Sequence, residues 1–257
     1  MSKVKVLMLR APGTNRDIDT QIAFEAAGAD FIASALVGEL VRKEKKLGDY
    51  HILVIPGGFT YGDDISAGRI MANEIRLKLG DDIGKFVADG RLVLGICNGF
   101  QVLVKTGILP GMPGRDGQPV TLTNNDSGKF ECRWVYLKVN RKSPCVFTRG
   151  IKGIYVPVAH GEGKLVTAPG VLEKLHTVLQ YADEGWHTGA GYPYNPNGSV
   201  NDIAGICDAS GRIFGMMPHP EDFIRWTQHP RWTREKERPD LYGLQIFANA
   251  VAWAKGI

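Results

Sequence analysis

Residues 91–103 of this chain read Arg91-Leu-Val-Leu-Gly-Ile-Cys-Asn-Gly-Phe-Gln-Val-Leu103. The apolar run 92–96 has the length of a buried strand, and a helix is predicted to open shortly after it. Cys97 stands between the two, and Gly95 and Gly99 flank it in a G-x-C-x-G pattern. This pattern is typical of a nucleophile elbow, a sharp strand-turn-helix reversal in which side chains at the flanking positions would collide.

The place of Cys97 in this elbow indicates a nucleophile. Its thiol would stand at a helix N-terminus, where free backbone N–H groups and the positive end of the helix dipole favour thiolate over thiol. The alternative is that Cys97 is a small buried residue, which is the commonest role of a single cysteine. The five-residue pattern by itself leaves both roles open.

Strand-like and helix-like stretches alternate through the first part of the chain. Apolar runs at residues 4–9, 30–36 and 51–55 predict strands, and residues 17–27, 66–79 and 81–88 predict helices. This alternation predicts an α/β fold with a mostly parallel, open sheet covered by helices on both faces. Later strand-like runs follow one another without long helices, which predicts an antiparallel extension of the sheet.

Composition limits the class of protein. The chain has 257 residues, of which 44% are hydrophobic, so we expect one domain spanning residues 1–257. A net charge of +4 predicts neither nucleic-acid nor membrane binding. The four cysteines form no C-x-x-C pair, which argues against a zinc site or a disulfide framework. We find no signal peptide or membrane-spanning run and expect a cytoplasmic protein.

A glycine-rich loop, Pro56-Gly-Gly-Phe-Thr-Tyr-Gly-Asp-Asp64, follows the third predicted strand. Ligands of open α/β sheets usually bind at the carboxyl ends of strands. Paired glycines let backbone N–H groups approach a ligand without a Cβ atom in the way. A plain turn is the alternative, but the loop is longer than a connection requires, so we predict that it contributes to a binding site.

A second loop carries a histidine and a glutamate. Residues 203–207 and 212–217 predict a hairpin that leads into Met216-Met-Pro-His-Pro-Glu221. His219 lies between two prolines and has little backbone freedom, and Glu221 is close enough to act on the same site. The alternative is a surface histidine beside a solvated glutamate.

Seven stretches together carry a resemblance to a known family. They are Pro12-Gly-Thr-Asn15, Pro56-Gly-Gly-Phe-Thr-Tyr-Gly-Asp63, Gly95-Ile-Cys-Asn-Gly-Phe-Gln101, Arg133-Trp-Val135, Ala159-His-Gly-Glu-Gly163, Asn195-Pro-Asn-Gly-Ser199 and Met217-Pro-His-Pro-Glu221. On them the chain resembles the class I, triad-type glutamine amidotransferases of flavodoxin-like fold, and within these the glutaminase subunits of phosphoribosylformylglycinamidine synthase. The family often has Cys and Arg where this chain has Arg16 and Asp222; neither position is catalytic.

The resemblance implies a catalytic role for three residues. Glutamine would be hydrolysed through a γ-glutamyl thioester on Cys97, with His219 moving the proton and Glu221 holding the imidazole.

The resemblance also implies residues that contact the substrate. The oxyanion would lie against backbone N–H groups of Gly58 and Asn98. Gln101 is implied as a contact of the bound glutamine, and no firm role is assigned to His160.

The resemblance further implies partners. The ammonia would pass to a separate synthetase subunit, which uses ATP and magnesium to convert formylglycinamide ribonucleotide to formylglycinamidine ribonucleotide in de novo purine synthesis. Whether the complex needs a small third subunit is left open. We expect no cofactor or metal in this chain itself, which has no P-loop pattern G-x-x-x-x-G-K-[ST].

Three other functions are compatible with parts of the sequence. One is the amidotransferase subunit of another synthetase, such as carbamoyl-phosphate or guanylate synthetase. Another is a cysteine hydrolase of the related intracellular-protease superfamily. The His219-Pro-Glu221 pair argues against this function. The third is an inactive module that regulates a synthetase. The presence of all three triad residues argues against this function.

The segment 225–238 is basic and contains Trp226 and Trp232. Tryptophan and arginine are enriched where proteins bind partners. We therefore predict that this segment contacts the synthetase subunit. The alternative is a solvated connection to the terminal helix predicted for residues 241–254, whose apolar side would carry Leu244, Phe247, Ala248 and Val251.

Overall fold

The computed structural model describes residues 3–111 and 118–257. The strands are β1 (Lys5–Arg10), β2 (Phe31–Leu36), β3 (Ile52–Ile55), β4 (Leu92–Ile96), β5 (Val120–Thr123), β6 (Glu131–Val139), β7 (Gly153–His160), β8 (Lys164–Thr167), β9 (His176–Ala182), β10 (Ile203–Cys207) and β11 (Ile213–Met216). The α-helices are α1 (Asp17–Ala26), α2 (Val37–Val41), α3 (Arg69–Lys78), α4 (Gly80–Ala88), α5 (Asn98–Thr106) and α6 (Leu244–Ala254).

Nine strands form one sheet in the order β2-β1-β3-β4-β11-β10-β9-β6-β7. The pairs from β2 to β11 are parallel. The pairs from β11 to β7 are antiparallel. The predicted α/β fold, a parallel sheet with an antiparallel extension, is therefore confirmed. Strands β5 and β8 pair separately as an antiparallel ribbon.

The sheet order places the two predicted catalytic loops side by side. Strand β4 runs into the elbow and β11 runs into the His219 loop, and the two strands are parallel neighbours. Parallel neighbours end at the same edge of a sheet, so both loops leave that edge together. Every residue of β3 and β4 is buried, as expected of central strands covered on both faces.

Some elements differ from the sequence-based prediction. Strands β8 and β9 were not predicted, because polar residues interrupt the apolar pattern of both. The irregular loop predicted for residues 107–117 lies partly outside the described residues. Within the described ranges, no helix is long and apolar enough to cross a membrane.

The buried side of the terminal helix α6 agrees with the predicted apolar side at Phe247 and Val251 but not at Leu244 and Ala248. Its buried residues are Ile246, Phe247, Ala250, Val251 and Ala254. Leu244 and Ala248, which the prediction placed on the apolar side, are only partly buried. The ring of Phe247 packs edge-on against Phe24 of α1, with ring centroids 5.0 Å apart. This contact packs α6 against α1 through a residue that the sequence placed on the apolar side.

Candidate active site

The predicted elbow is present between β4 and α5. Cys97 has φ +50° and ψ −106°, a conformation that non-glycine residues rarely adopt. A Cβ atom on Gly99 would overlap the carbonyl oxygen of Ile55, and one on Gly95 would lie 2.7 Å from the carbonyl oxygen of Gly99. The flanking glycines are therefore required by close backbone packing, and the strain at Cys97 is typical of a functional turn.

Cys97 opens into a cavity of about 350 Å³. The cavity is lined by Asn15, Arg16, Gly58, Phe59, Cys97, Phe130, Cys132, Ala159 and His219. The Cys97 side chain is largely buried, with its sulfur 3.7 Å from the carbonyl oxygen of Ala159. Three of the predicted site residues, Gly58, Cys97 and His219, thus border one cavity, although they come from three loops.

His219 and Glu221 form a buried pair. The Nδ1 atom of His219 lies 2.7 Å from Oε1 of Glu221, and the two residues are 2% and 1% exposed. The backbone N–H of His219 donates to the carbonyl of Pro157, which ties the loop to β7. The Nε2 atom of His219 has no hydrogen-bond partner among the described residues. One ring nitrogen is therefore held by Glu221, and the other remains available for proton transfer.

The charges around His219 favour its protonated form. Burial lowers the pKa of the His219 imidazole, but the charge of Glu221, the charge of Cys97 and the hydrogen bond to Glu221 raise that pKa well above its usual value. An imidazolium stabilised in this way favours a thiolate beside it. The arrangement can therefore hold a thiolate–imidazolium pair, which is the reactive form of a catalytic cysteine.

Gly58 borders the cavity in a conformation that requires glycine. Gly58 has φ +146°, and a Cβ atom there would meet the backbone of Gly13, Thr14 and Asn15 within 3 Å. Asn98 is the first residue of α5, so its backbone N–H has no acceptor within the helix. Gly58 lies in the wall of the cavity, and Asn98 directly follows the nucleophile Cys97. The assignment of these two N–H groups stays a prediction.

The side chain of Asn98 has a role that the sequence analysis missed. It is fully buried, and its Oδ1 accepts hydrogen bonds from the Thr60 hydroxyl at 2.6 Å and from the Thr60 backbone N–H at 3.3 Å. Its Nδ2 donates to Asp63 and to Gln101, both at 3.0 Å. Asn98 therefore fastens the glycine-rich loop to helix α5.

Gln101 belongs to the same buried network. Its Oε1 accepts the hydrogen bond from Asn98, and its Nε2 donates to the carbonyl of Glu162 at 2.7 Å. The carboxylate of Glu162 in turn accepts from the backbone N–H of Ala67 and lies 3.9 Å from the Lys105 ammonium. Both polar ends of the Gln101 amide are thus engaged within the protein. Its predicted contact with glutamine stays a prediction.

His160 lies behind the site rather than in it. Its Nδ1 is 3.2 Å from Oδ1 of Asn125, and its Nε2 is 3.5 Å from Nδ2 of Asn197. Burial, and then the charge of His219, lower the pKa of His160 to about 3. His160 is therefore neutral at physiological pH. Asn197 also donates to the Gly163 carbonyl, so this group of polar residues holds the corner after β7.

The two departures from the family pattern meet in space. Arg16 Nη1 lies 3.3 Å from Oδ1 of Asp222, and also 3.3 Å from Oδ2 of Asp19. Burial and the nearby charge of Glu221 raise the pKa of Asp222 to about 6, while the charges of His219 and Arg16 oppose this rise. Residues that look like two independent changes in the sequence therefore form one ion pair at the edge of the cavity.

The basic segment 225–238 has two parts. Trp226 stacks on His229 with ring centroids 4.6 Å apart, and its indole N–H donates to the Trp232 carbonyl at 3.0 Å. From Pro230 to Asp240 every residue is exposed, and Trp232 is 48% exposed. The first part thus packs on its own fold through Trp226 and His229, and the second part is exposed throughout.

Comparisons with known proteins identify the family of this chain. The CobB/CobQ-like glutamine amidotransferase domain matches residues 3–254. A phosphoribosylformylglycinamidine synthase subunit PurQ from Dehalococcoides mccartyi is 56% identical over 257 residues, covering 100% of both chains. A subunit of the same name from Methanococcus maripaludis is 42% identical over 266 residues, covering 97% of each chain.

A solved structure extends the comparison to three dimensions. The structure described as PurLQS from Thermotoga maritima matches with a TM-score of 0.72 at 31% identity, covering 98% of this chain and 99% of that chain. The similarity therefore includes the whole sheet and not the elbow alone. The chain belongs to the CobB/CobQ-like glutamine amidotransferase family and, within it, to the glutaminase subunits of phosphoribosylformylglycinamidine synthase.

Proposed function

We propose that Cys97, His219 and Glu221 are the catalytic triad with which this subunit hydrolyses L-glutamine. The observation that carries the proposal is the shared cavity. It joins a cysteine on a strained elbow to a histidine whose far nitrogen is held by a buried carboxylate. Acyl transfer requires a nucleophile, a base beside it and a third group that orients the base, and these three residues can fill those roles.

The reaction proceeds in two halves. The Cys97 thiolate attacks the side-chain amide carbon, a C–S bond forms, and the carbonyl electrons move to oxygen. Collapse breaks the C–N bond while His219 gives its proton to the leaving ammonia, leaving a γ-glutamyl thioester. His219 then takes a proton from water, the hydroxide attacks the thioester, and glutamate and the thiolate are released.

The oxyanion is stabilised by the backbone N–H groups of Gly58 and Asn98. One donor of this kind contributes roughly 10²- to 10³-fold to the rate. Its effect depends on preorganisation, because a donor that must first be moved into place loses part of its advantage. The bonds from Asn98 to Thr60 and Asp63 supply that preorganisation by fixing the loop that carries Gly58.

We also propose how the subunit is organised. Residues 1–257 act as one glutamine amidotransferase domain, supported by a core that is shared along the nine-stranded sheet. Its ammonia goes to a synthetase subunit that uses ATP and magnesium on formylglycinamide ribonucleotide. A cytoplasmic location fits four free cysteines.

The experiment that tests this function measures glutamate release from glutamine, with and without the synthetase subunit and its ribonucleotide substrate. We expect formylglycinamidine ribonucleotide to appear in proportion to the glutamate released. Glutamate release that never supports amidine formation would instead indicate another synthetase as the partner.

The exposed half of the basic segment is predicted to contact the synthetase subunit. We expect Trp232→Ala or Arg234→Ala to weaken association by about tenfold, because aromatic and arginine side chains dominate binding energy at interfaces. The thermal midpoint of the isolated subunit should change little, since both residues are exposed. Trp226→Ala is the matched comparison, and it should lower the midpoint because Trp226 packs on His229. Unaltered association of the Trp232 variant would contradict the prediction.

A further inference from the structure

The segment before α1 packs closely against the glycine-rich loop. The backbone N–H of Arg16 donates to the carbonyl of Gly57 at 3.2 Å. Two residues earlier, Thr14 forms an antiparallel bridge with Gly58. A Cβ atom on Gly58 would lie only 2.8 Å from the backbone nitrogen of Asn15. The backbone of Arg16 is therefore fixed to the loop that carries the oxyanion glycine.

The side chain of Arg16 reaches the other catalytic loop. Its Nη1 lies 3.3 Å from Oδ1 of Asp222, which directly follows the triad residue Glu221. A Cβ atom on Gly57 would be 3.4 Å from Cγ of Arg16 and 2.9 Å from Cε1 of His219, so the arginine stem and the imidazole both pack on this glycine. Arg16 thus joins the glycine-rich loop, through its backbone, to the loop of His219 and Glu221, through its side chain.

Arg16 is a cation among carboxylates. Burial lowers the pKa of the Arg16 guanidinium, but three nearby carboxylates raise that pKa above its usual value. These are the side chains of Asp222, Asp19 and Glu221. A neutral residue in place of Arg16 would leave Asp19 of α1 facing Asp222 as a like charge. Their repulsion would push the loop of His219 away from α1.

We propose that Arg16 is a positioning residue, which through Asp222 holds the triad loop, residues 217–221, at a fixed distance from the glycine-rich loop. This inference rests on the proposed function of the cavity. The thioester forms only when the imidazole, the sulfur and the oxyanion donors are in place together, and a displacement of about 1 Å can lower the rate by about 100-fold. Arg16 contributes by fixing the two loops and not by contact with glutamine.

A double-mutant cycle tests the ion pair. Arg16→Gln and Asp222→Asn each remove one charge, and glutamate release is measured in the complex with the synthetase subunit. We expect each variant to lower kcat by about tenfold and to change the KM for glutamine by less than about threefold, because a displaced loop affects the transition state more than the bound substrate. The double variant should be no slower than either single variant, since the same interaction is already lost.

Two results of this cycle would overturn the inference. Losses that add up in the double variant would show that the two residues act independently. A raised KM with unchanged kcat in Arg16→Gln would show that Arg16 binds the substrate directly.

A change at both positions provides a rescue. In Asp222→Arg two guanidinium groups face each other, so we expect this variant to be the slowest of the set. Arg16→Cys/Asp222→Arg carries the residue types that the family often has at these positions, and Asp19, whose charge acts on position 222, can pair with its single guanidinium. We expect this double variant to recover to within about threefold of the wild-type kcat. A double variant as slow as Asp222→Arg would overturn the inference.

Arg10→Gln is the matched control. Nε of Arg10 lies 2.9 Å from Oδ2 of Asp17, so this ion pair joins the end of β1 to the start of α1. The side chains of Arg10 and Arg16 are similarly exposed, at 43% and 37%. Neither Arg10 nor Asp17 is among the described residues that line the cavity.

Arg10→Gln and Arg16→Gln should lower the thermal midpoint by similar small amounts, because both remove a half-exposed ion pair. Only Arg16→Gln should lower kcat. An equal fall of kcat in both variants would show that a loosened α1 is responsible, and would overturn the inference.

Failure of this inference is distinguishable from failure of the proposed function. If the wild-type complex releases no glutamate, or if Cys97→Ala releases it at the wild-type rate, the proposed function fails. If Cys97→Ala is inactive while Arg16→Gln and Asp222→Asn both keep the wild-type kcat, the triad stands and the positioning role of Arg16 alone is refuted.

Discussion

Cys97→Ala is expected to abolish glutamine-dependent synthesis in the reconstituted complex and to leave ammonia-dependent synthesis largely intact. Loss of the nucleophile removes the thioester route completely, so the rate should fall by on the order of 10⁶-fold. Added ammonia bypasses the glutaminase, and its use depends only on the synthetase subunit. An equal loss of both activities would show that Cys97 is needed for assembly or folding rather than for chemistry.

The structure adds a control to this experiment. Cys132 is exposed and lines the same cavity as Cys97. A glutamine analogue that carries a reactive diazo or chloroketone group could therefore encounter either thiol. We expect it to label Cys97 in the Cys132→Ser variant and to leave Cys132 unlabelled in Cys97→Ala, since only Cys97 stands on an elbow beside His219. Full labelling of Cys97→Ala would refute the assignment of the nucleophile.

His219→Ala should have the second largest effect, close to that of Cys97→Ala. Among the described residues that line the cavity, the His219 imidazole is the group placed to activate the thiol and to carry its proton to ammonia, and residues of a triad act as a unit. Glu221→Gln should cost less, about 10⁴-fold, because it perturbs the orientation and charge of the imidazole without removing it. Glutamate release by the three variants under single-turnover conditions measures this order. A larger loss in Glu221→Gln than in His219→Ala would contradict the roles given to the two residues.

The Glu221→Gln variant is also expected to change how the reactivity of Cys97 depends on pH. The charge of Glu221 is a principal cause of the raised pKa of His219, so removing that charge lowers the pKa of the imidazole. The imidazolium that supports the thiolate then loses its proton at lower pH than in the wild type. Alkylation of Cys97 by iodoacetamide near pH 6 should accordingly be slower in Glu221→Gln, whereas an unchanged pH profile would show that the pair is not coupled to Cys97.

Local patterns in the sequence were sufficient to predict the strand, the elbow and the hairpin that carry the candidate catalytic residues. The strand β4 was predicted with the bounds that it has in the structure, because a short apolar run between turn residues leaves few alternatives. The elbow followed from Gly95 and Gly99, since only glycine fits where backbone atoms approach so closely. The hairpin before His219 was likewise visible in the alternation of apolar runs and turn residues.

Contacts between distant segments were decided only by the tertiary structure. The sheet order β1-β3-β4-β11 brings His219 to the cavity of Cys97. It also brings Arg16, which follows β1, to Asp222, 206 residues further along the chain. The bonds of Asn98 to the glycine-rich loop depend on the same packing. A sequence pattern reports what a residue can do within its own strand or helix. Its partner across the core depends on how all the elements pack together, which local periodicity does not encode.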